Sequence, residues 1–317
     1  MVVREDVISV SRLAERAVAS RSRISDIVLH DEALRSERRP DQLRSEMARN
    51  LEVMRQAVAR GLEGAPRTVS GLVGGDARRI EEARRGGRLI GGEVLDLAIA
   101  RAVAVAEVNA SMGRVVAAPT AGSCGVLPGV LLTVAEKVYS EEGYTRARAG
   151  EGHAGEEGLE DALIAALFTA AGVGMAIAAR ASISGAEGGC QAEIGSAACM
   201  AAAAATELAG GTPNQVCHAG AIALKGLLGL VCDPVAGLVE VPCVKRNATA
   251  AAVAIAAVDM ALAGVKSVIP IDEVIAAMGA VGRMLPCELR ETAQGGLAAT
   301  PTGRSIARRM GGASPGG

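Results

Sequence analysis

Aromatic side chains are almost missing from this chain: of 317 residues none is Trp, one is Phe and two are Tyr. A core without rings must be filled by Ala, Val, Leu, Ile and Met, and small side chains let helices approach closely. Forty glycines fit that picture. Lysine is also scarce, with only Lys137, Lys225, Lys245 and Lys266, so the positive charge is carried by Arg. The formal net charge of −2 leaves no basic excess to attract nucleic acid, and no nucleic-acid partner is expected. The first residues, MVVREDVISVSRL, lack the basic-then-apolar layout of a secretion signal. Seven cysteines, odd in number and unclustered, suit a reducing compartment, so a cytoplasmic location is expected.

Familiar chemical motifs are absent too. There is no GxxxxGK[ST], no strand-bound GxGxxG, no GxSxG and no HExxH, which leaves nucleotide binding and the common hydrolase constellations without support. Histidines number three: His30, His153 and His218. His218 falls in a helical stretch. His153 falls in the polar, glycine-rich loop 145–158, where it can reach a site or remain solvated.

What the chain has in plenty is helical pattern. Pro40 suits a first helical turn, and Leu43, Met47, Leu51, Met54 and Val58 follow at spacings of three and four. The run ALIAALFTAAGVGMAIAA at 162–179 reaches the length of a membrane span. Its apolarity is mostly Ala and Gly and no Trp or Tyr flanks it, so it reads as a helix buried on all sides, and no membrane partner is expected. No stretch alternates long enough to predict a sheet. The expected fold is mostly α: a single multi-helix domain with small-residue packing and glycine-rich active-site turns. Residues 1–65 form a helical arm of that domain, 66–300 its body, and 301–317 a flexible tail.

Three glycine-rich turns each precede a helix: PTAGSCG at 119–125, SISGAEGGCQAE at 182–193, and GLVCDPVAGLVEVPCVKRNA at 229–248. Free N–H groups at helix starts suit carboxylates, although such turns also serve as plain tight connections. Cys199, Cys217 and Cys287 read as small buried hydrophobes. Cys190, Cys232 and Cys243 sit in irregular backbone that can aim side chains at a common point. Three thiolates suit an iron–sulfur cluster that keeps one iron without a protein ligand. Structural burial of the same residues stays open on spacing alone.

Taken together, NASMGRVVAAPTAGSCGVLPGVLL, SISGAEGGCQAEIGSA and HAGAIALKGLLGLVCDPVAGLVEVPCVKRNA resemble the alpha subunit of the iron–sulfur-dependent L-serine dehydratases (L-serine ammonia-lyases). SGLVGGD at 70–76 belongs to the same pattern, so the resemblance spans about residues 40 to 300. It implies a [4Fe–4S] cluster on Cys190, Cys232 and Cys243, and β-elimination of L-serine to pyruvate and ammonia with the open iron as Lewis acid. Such a lyase serves amino-acid degradation and gluconeogenesis. Thr120, Ser123, Ser182 and Ser184 become candidates for holding the substrate's carboxylate and amine, with Lys245, Arg246 and Asn247 beside them. No residue is identified as the base. Some one-chain members carry a further domain with an SSSHT-type motif and end in a cysteine. Neither is found here, so a separate beta subunit, an oligomer and no cysteine cap on the iron are expected. Two other readings remain: a pyridoxal-phosphate dehydratase, which needs a Schiff-base lysine, and a non-catalytic cluster-bearing scaffold or redox-sensing subunit.

Overall fold

The computed structural model describes residues 8–64, 67–139 and 158–311. His153 with most of its glycine-rich loop, and residues 312–317 of the tail, lie outside them. The described residues form thirteen α-helices and no named strand. The architecture is mostly α, as its sequence pattern implies.

The N-terminal helices are α1 (Val10–Ser20), α2 (Ile24–Ser36) and α3 (Pro40–Gly64). Pro40 opens α3, where its missing N–H costs nothing, and Leu43, Leu51, Met54 and Val58 are buried along one face. Next come α4 (Asp76–Arg85), α5 (Glu93–Ala110), α6 (Val126–Val138) and α7 (Leu159–Arg180). A one-turn helix, α8 (Gly185–Gly188), leads through a π-helical turn, Gln191–Gly195, into α9 (Ser196–Leu208). The chain then forms α10 (Pro213–Lys225), α11 (Cys243–Leu262), α12 (Ile271–Met284) and α13 (Pro301–Arg309).

Helix α9 is the axis of the body. Its sequence, SAACMAAAAATEL, is buried throughout except Glu207, and α6, α7, α10 and α11 surround it. Only Ala-rich surfaces allow four helices to crowd one neighbour this closely. Helix α5 is gripped in the same way. A Cβ on Gly129 of α6 would stand 2.8 Å from the Ala102 amide nitrogen, and one on Gly61 of α3 would collide with the Ala104 carbonyl. Both helices long and apolar enough to cross a membrane, Ala121–Val138 and Leu159–Arg180, are mostly buried inside the fold. The apolar run at 162–179 thus spends its surface on neighbouring helices.

Three carboxylates from the body close the N-termini of helices far away in sequence. Asp272 accepts from Val10 N (3.1 Å), Ser11 N (2.9 Å) and Ser9 Oγ (3.0 Å) at the start of α1. Glu207 accepts from Ile24 N (2.9 Å) at α2 and from Thr169 Oγ1 (2.6 Å). Glu107, fully buried, accepts from Asp76 N (2.7 Å) at α4. Each places an anion against the positive end of a helix dipole and satisfies orphan N–H groups. Burial pushes Glu107 and Glu207 above the ordinary carboxylate range. Burial also pushes Asp272 upward, but the hydrogen bonds from Ser11, Ser9 and Val10 outweigh it and hold the group below.

Within the segment expected to be a flexible tail, residues 301–309 form helix α13: Pro301 occupies its first turn, and Thr300 Oγ1 accepts from Gly303 N (3.1 Å) as its cap.

Candidate active site

The turn at 182–195 is built to present Cys190. Ser184 N–H donates to Ser182 Oγ (3.0 Å), and the Ser184 carbonyl accepts from Gly188 N (2.9 Å) to close α8. Gly189, at φ 75°, then turns the chain so that Cys190 heads the π-helical turn. A left-handed backbone suits glycine alone among small residues without cost, and π turns recur at functional sites. Gln191 locks the arrangement from below. Its Nε2 donates to Gly188 O (2.9 Å) and Met278 O (3.1 Å), and its Oε1 accepts from Gly229 N (2.9 Å).

The second segment, 232–243, is pinned at both ends. Cys232 forms an isolated parallel bridge with Arg290: Cys232 N donates to Leu289 O and Glu291 N donates to Cys232 O, both at 2.8 Å. Asp233 is buried and accepts from Arg246 Nη2 (2.7 Å) and Leu297 N (2.7 Å), while Arg246 Nη1 donates to Val231 O (2.7 Å). Between the cysteines the chain makes a tight turn over Val235–Gly237, and Cys243 then opens α11. Buried Glu240 accepts from Ser70 N (2.8 Å), which ties the SGLVGGD turn to the same loop.

Cys190, Cys232 and Cys243 are all buried in one neighbourhood: Cys190 and Cys232 share a hydrogen bond, and Cys243 lies near enough to feel the charge of Cys190. Cys232 donates to Cys190, and the Arg246 guanidinium stands beside Cys190. Together they hold Cys190 below the usual thiol range. Cys232, the donor in that pair and buried, is pushed up. Burial, with the charges of Cys190 and Glu193 nearby, pushes Cys243 up to about 12. Cys190 is thus the thiol of the group whose anion is best supported, with the Arg246 cation beside it.

Glu193 belongs to this centre and no sequence expectation included it. Its Oε1 accepts from Thr120 Oγ1 (2.8 Å) and its Oε2 lies 3.8 Å from Cys232 Sγ. Burial first, and then the neighbouring Glu291 carboxylate, push it above the ordinary range. The signal in the sequence was a lone acid three residues after Cys190 in an otherwise small and apolar run. Gly185 leaves this wall bare: a Cβ there would stand 2.7 Å from Glu193 Oε2 and 3.1 Å from both Cys232 Sγ and Glu291 Oε2.

The candidate substrate-holding residues divide. Thr120 reaches the centre through Glu193, and Ser184 immediately precedes Gly185. The other three do not present free groups to it. Ser123 is fully buried and its hydroxyl is engaged within its own turn, with Thr120 O at 3.3 Å. Asn247 is fully buried. Its Nδ2 donates to Gly122 O (2.8 Å) and Cys243 O (2.9 Å), and its Oδ1 accepts from Gly125 N (2.9 Å). It ties the 119–125 turn to the start of the Cys243 helix. Ser182 Oγ donates to Glu187 Oε2 (2.6 Å) and faces a separate cavity. Lys245 is paired with Asp76, and Lys225 donates to Ser267 Oγ (3.1 Å).

Residues 19–298 match the family model described as Serine dehydratase alpha chain. The chain belongs to this family. The probable L-serine dehydratase, alpha chain, of Bacillus subtilis (strain 168) is 49% identical over 302 residues, covering 95% of this chain and 94% of that one. The L-serine dehydratase, alpha chain, of Peptoniphilus asaccharolyticus is 42% identical over 286 residues, covering 90% and 92%. The L-serine dehydratase TdcG of Escherichia coli (strain K12) is 40% identical over 289 residues, covering 87% of this chain and 58% of that longer one. The family to which the three glycine-rich turns point is thereby borne out.

A cluster suits this thiol centre on its own chemistry. Among the described residues no three of His, Cys, Asp and Glu close tightly enough to grip a single ion. A cluster differs from one ion in needing thiolates around a volume. Three buried thiols, a bare glycine wall and an adjacent guanidinium meet that need.

Proposed function

We propose that this chain is the α subunit of an L-serine dehydratase, which converts L-serine to pyruvate and ammonia together with a separate β chain. Cys190, Cys232 and Cys243 would hold its [4Fe–4S] cluster. The observation that carries this reading is the meeting of three buried thiols beside Arg246, in a chain that belongs to the dehydratase alpha family.

The reaction removes an α-proton of high pKa and a β-hydroxyl that leaves poorly. When bound, the cluster supplies a Lewis-acidic iron for the hydroxyl. The chain's own groups do the rest of the positioning. Arg246, anchored on Asp233, balances thiolate charge at Cys190. Thr120 orients Glu193 by donating to Oε1, which leaves Oε2 directed at the thiol side. Glu193 and Glu291 are the carboxylates that stand beside Cys232. Ser184 and the backbone N–H groups of its turn are offered to the substrate's carboxylate. Loss of water leaves aminoacrylate, which hydrolyses to pyruvate and ammonia. The same reading puts the enzyme in the cytoplasm, in amino-acid degradation that feeds gluconeogenesis, and in an oligomer.

Anaerobic reconstitution with iron and sulfide, with and without the β chain, followed by a pyruvate assay on L-serine, tests the proposal. Cys232→Ser is expected to lose both the visible cluster absorption and the activity. Full activity in that variant would overturn the ligand assignment.

A further inference from the structure

Behind the turn that carries Cys190 lies a second cavity, of about 370 Å³, between α8 and α12. Its wall includes Gly188 and Ala192, two residues to either side of Cys190, but none of the three cysteines. A volume of this order suits a small ligand.

The charged groups on its wall are arranged for a particular chemistry. Arg283, in the last turn of α12, and Arg290, just beyond it, both line the cavity. Neither is paired with a carboxylate among the described residues, and Arg290 Nε is buried with no hydrogen-bond partner. On the facing side Glu187 is fixed by Ser182 Oγ at 2.6 Å. Two guanidinium groups and one held carboxylate across a cavity of amino-acid size are the complement of a zwitterion.

We infer that this cavity binds a small α-carboxylate, an amino acid or a 2-oxo acid, with Arg283 and Arg290 on the carboxylate and Glu187 on the amine where there is one. The inference rests on charge and size alone and not on the dehydratase reading. Because the same backbone forms the cavity wall and carries Cys190, an occupied cavity braces the turn that aims this thiol.

Calorimetric titration of the full chain, before cluster reconstitution, alone and with its β chain, tests this. The probes are L-serine, pyruvate and, as a control without a carboxylate, L-serinamide. Saturable binding of either carboxylate and none of L-serinamide is expected. Arg283→Gln and Arg290→Gln should each weaken it about tenfold or more, the loss that follows removal of one charge-assisted hydrogen bond. Arg283 is exposed, so its variant keeps the test valid if Arg290→Gln does not fold. Glu187→Gln should weaken L-serine while sparing pyruvate, which separates the two ligand sources, and an equal loss for both overturns the role given to Glu187. Cys232→Ser should bind as the unaltered chain does. The proposal fails if no carboxylate binds saturably or if both arginine variants bind normally. It also fails if Cys232→Ser abolishes binding, which would move the carboxylate to the thiol centre and leave the dehydratase reading standing.

Discussion

Asn247→Ala separates a residue that holds the site together from one that holds substrate. The side chain is fully buried and makes three hydrogen bonds, to Gly122 O, Cys243 O and Gly125 N. Truncation leaves the buried Gly125 N–H and the part-buried Gly122 carbonyl without these partners, at roughly 1–3 kcal/mol each. The Cys243 carbonyl loses less, since it also serves the first turn of α11. A total of about 3–5 kcal/mol follows. For a chain of this length the unfolding entropy is of order 0.65 kcal/mol per kelvin, so the melting temperature should fall by roughly 5–8 °C. Circular dichroism melts of the cluster-free chain measure this directly. After reconstitution the variant should lose cluster absorbance and kcat together, with little change in KM for L-serine. An unchanged melting temperature with a raised KM would refute the reasoning and return Asn247 to the substrate.

Asp272→Asn probes the carboxylate that caps α1. The folded-state pKa of Asp272 is lowered, so its contribution is present above the unfolded value of 3.8 and is lost as pH falls through the folded value. Asn keeps an acceptor oxygen for the cap, so the variant should be less stable than the parent at neutral pH by roughly 0.3–1 kcal/mol, the range of a charge at a helix N-terminus, and the two should converge in acid. Parallel melts at neutral pH and below pH 3.8 check the sign, and a gap that widens in acid would contradict it. Arg246→Met leaves the buried Asp233 carboxylate with only the Leu297 amide. Removal of one partner of a buried pair costs about 3–5 kcal/mol, so the denaturant midpoint should drop and cluster uptake with it. A midpoint equal to the parent's would show that Asp233 is satisfied in some other way.

Helix positions were readable because they depend on local signals. Pro40 and the Leu43 to Val58 spacing each act within a few residues of where they stand. The thiols were readable because Pro234, Pro242 and the surrounding glycines mark backbone that is not helical. Helix α13 was hidden because its cap, Thr300, sits in a Gly- and Arg-rich stretch whose composition resembles a tail. Glu193, Gln191 and Asp233 were hidden for another reason. Each lies next to a conspicuous residue, but its importance comes from Thr120, Met278 or Leu297, partners that the fold alone brings near. For Ser123 and Ser182 the fold adds the opposite information, a local acceptor for a hydroxyl that looks free in the sequence.

The pairing of Cys232 with the 289–291 segment bears on the order in which this protein is made. All three thiols have been synthesised by residue 243, yet the backbone that fixes Cys232 comes from Leu289 and Glu291, and the second clasp on Asp233 from Leu297. A ribosome-bound chain therefore displays its three thiols before it can hold them in place. Iron that reached such a chain early would meet an unfinished cradle, so on the proposed reading a cluster can be held only once residues 289–297 have folded back over the centre.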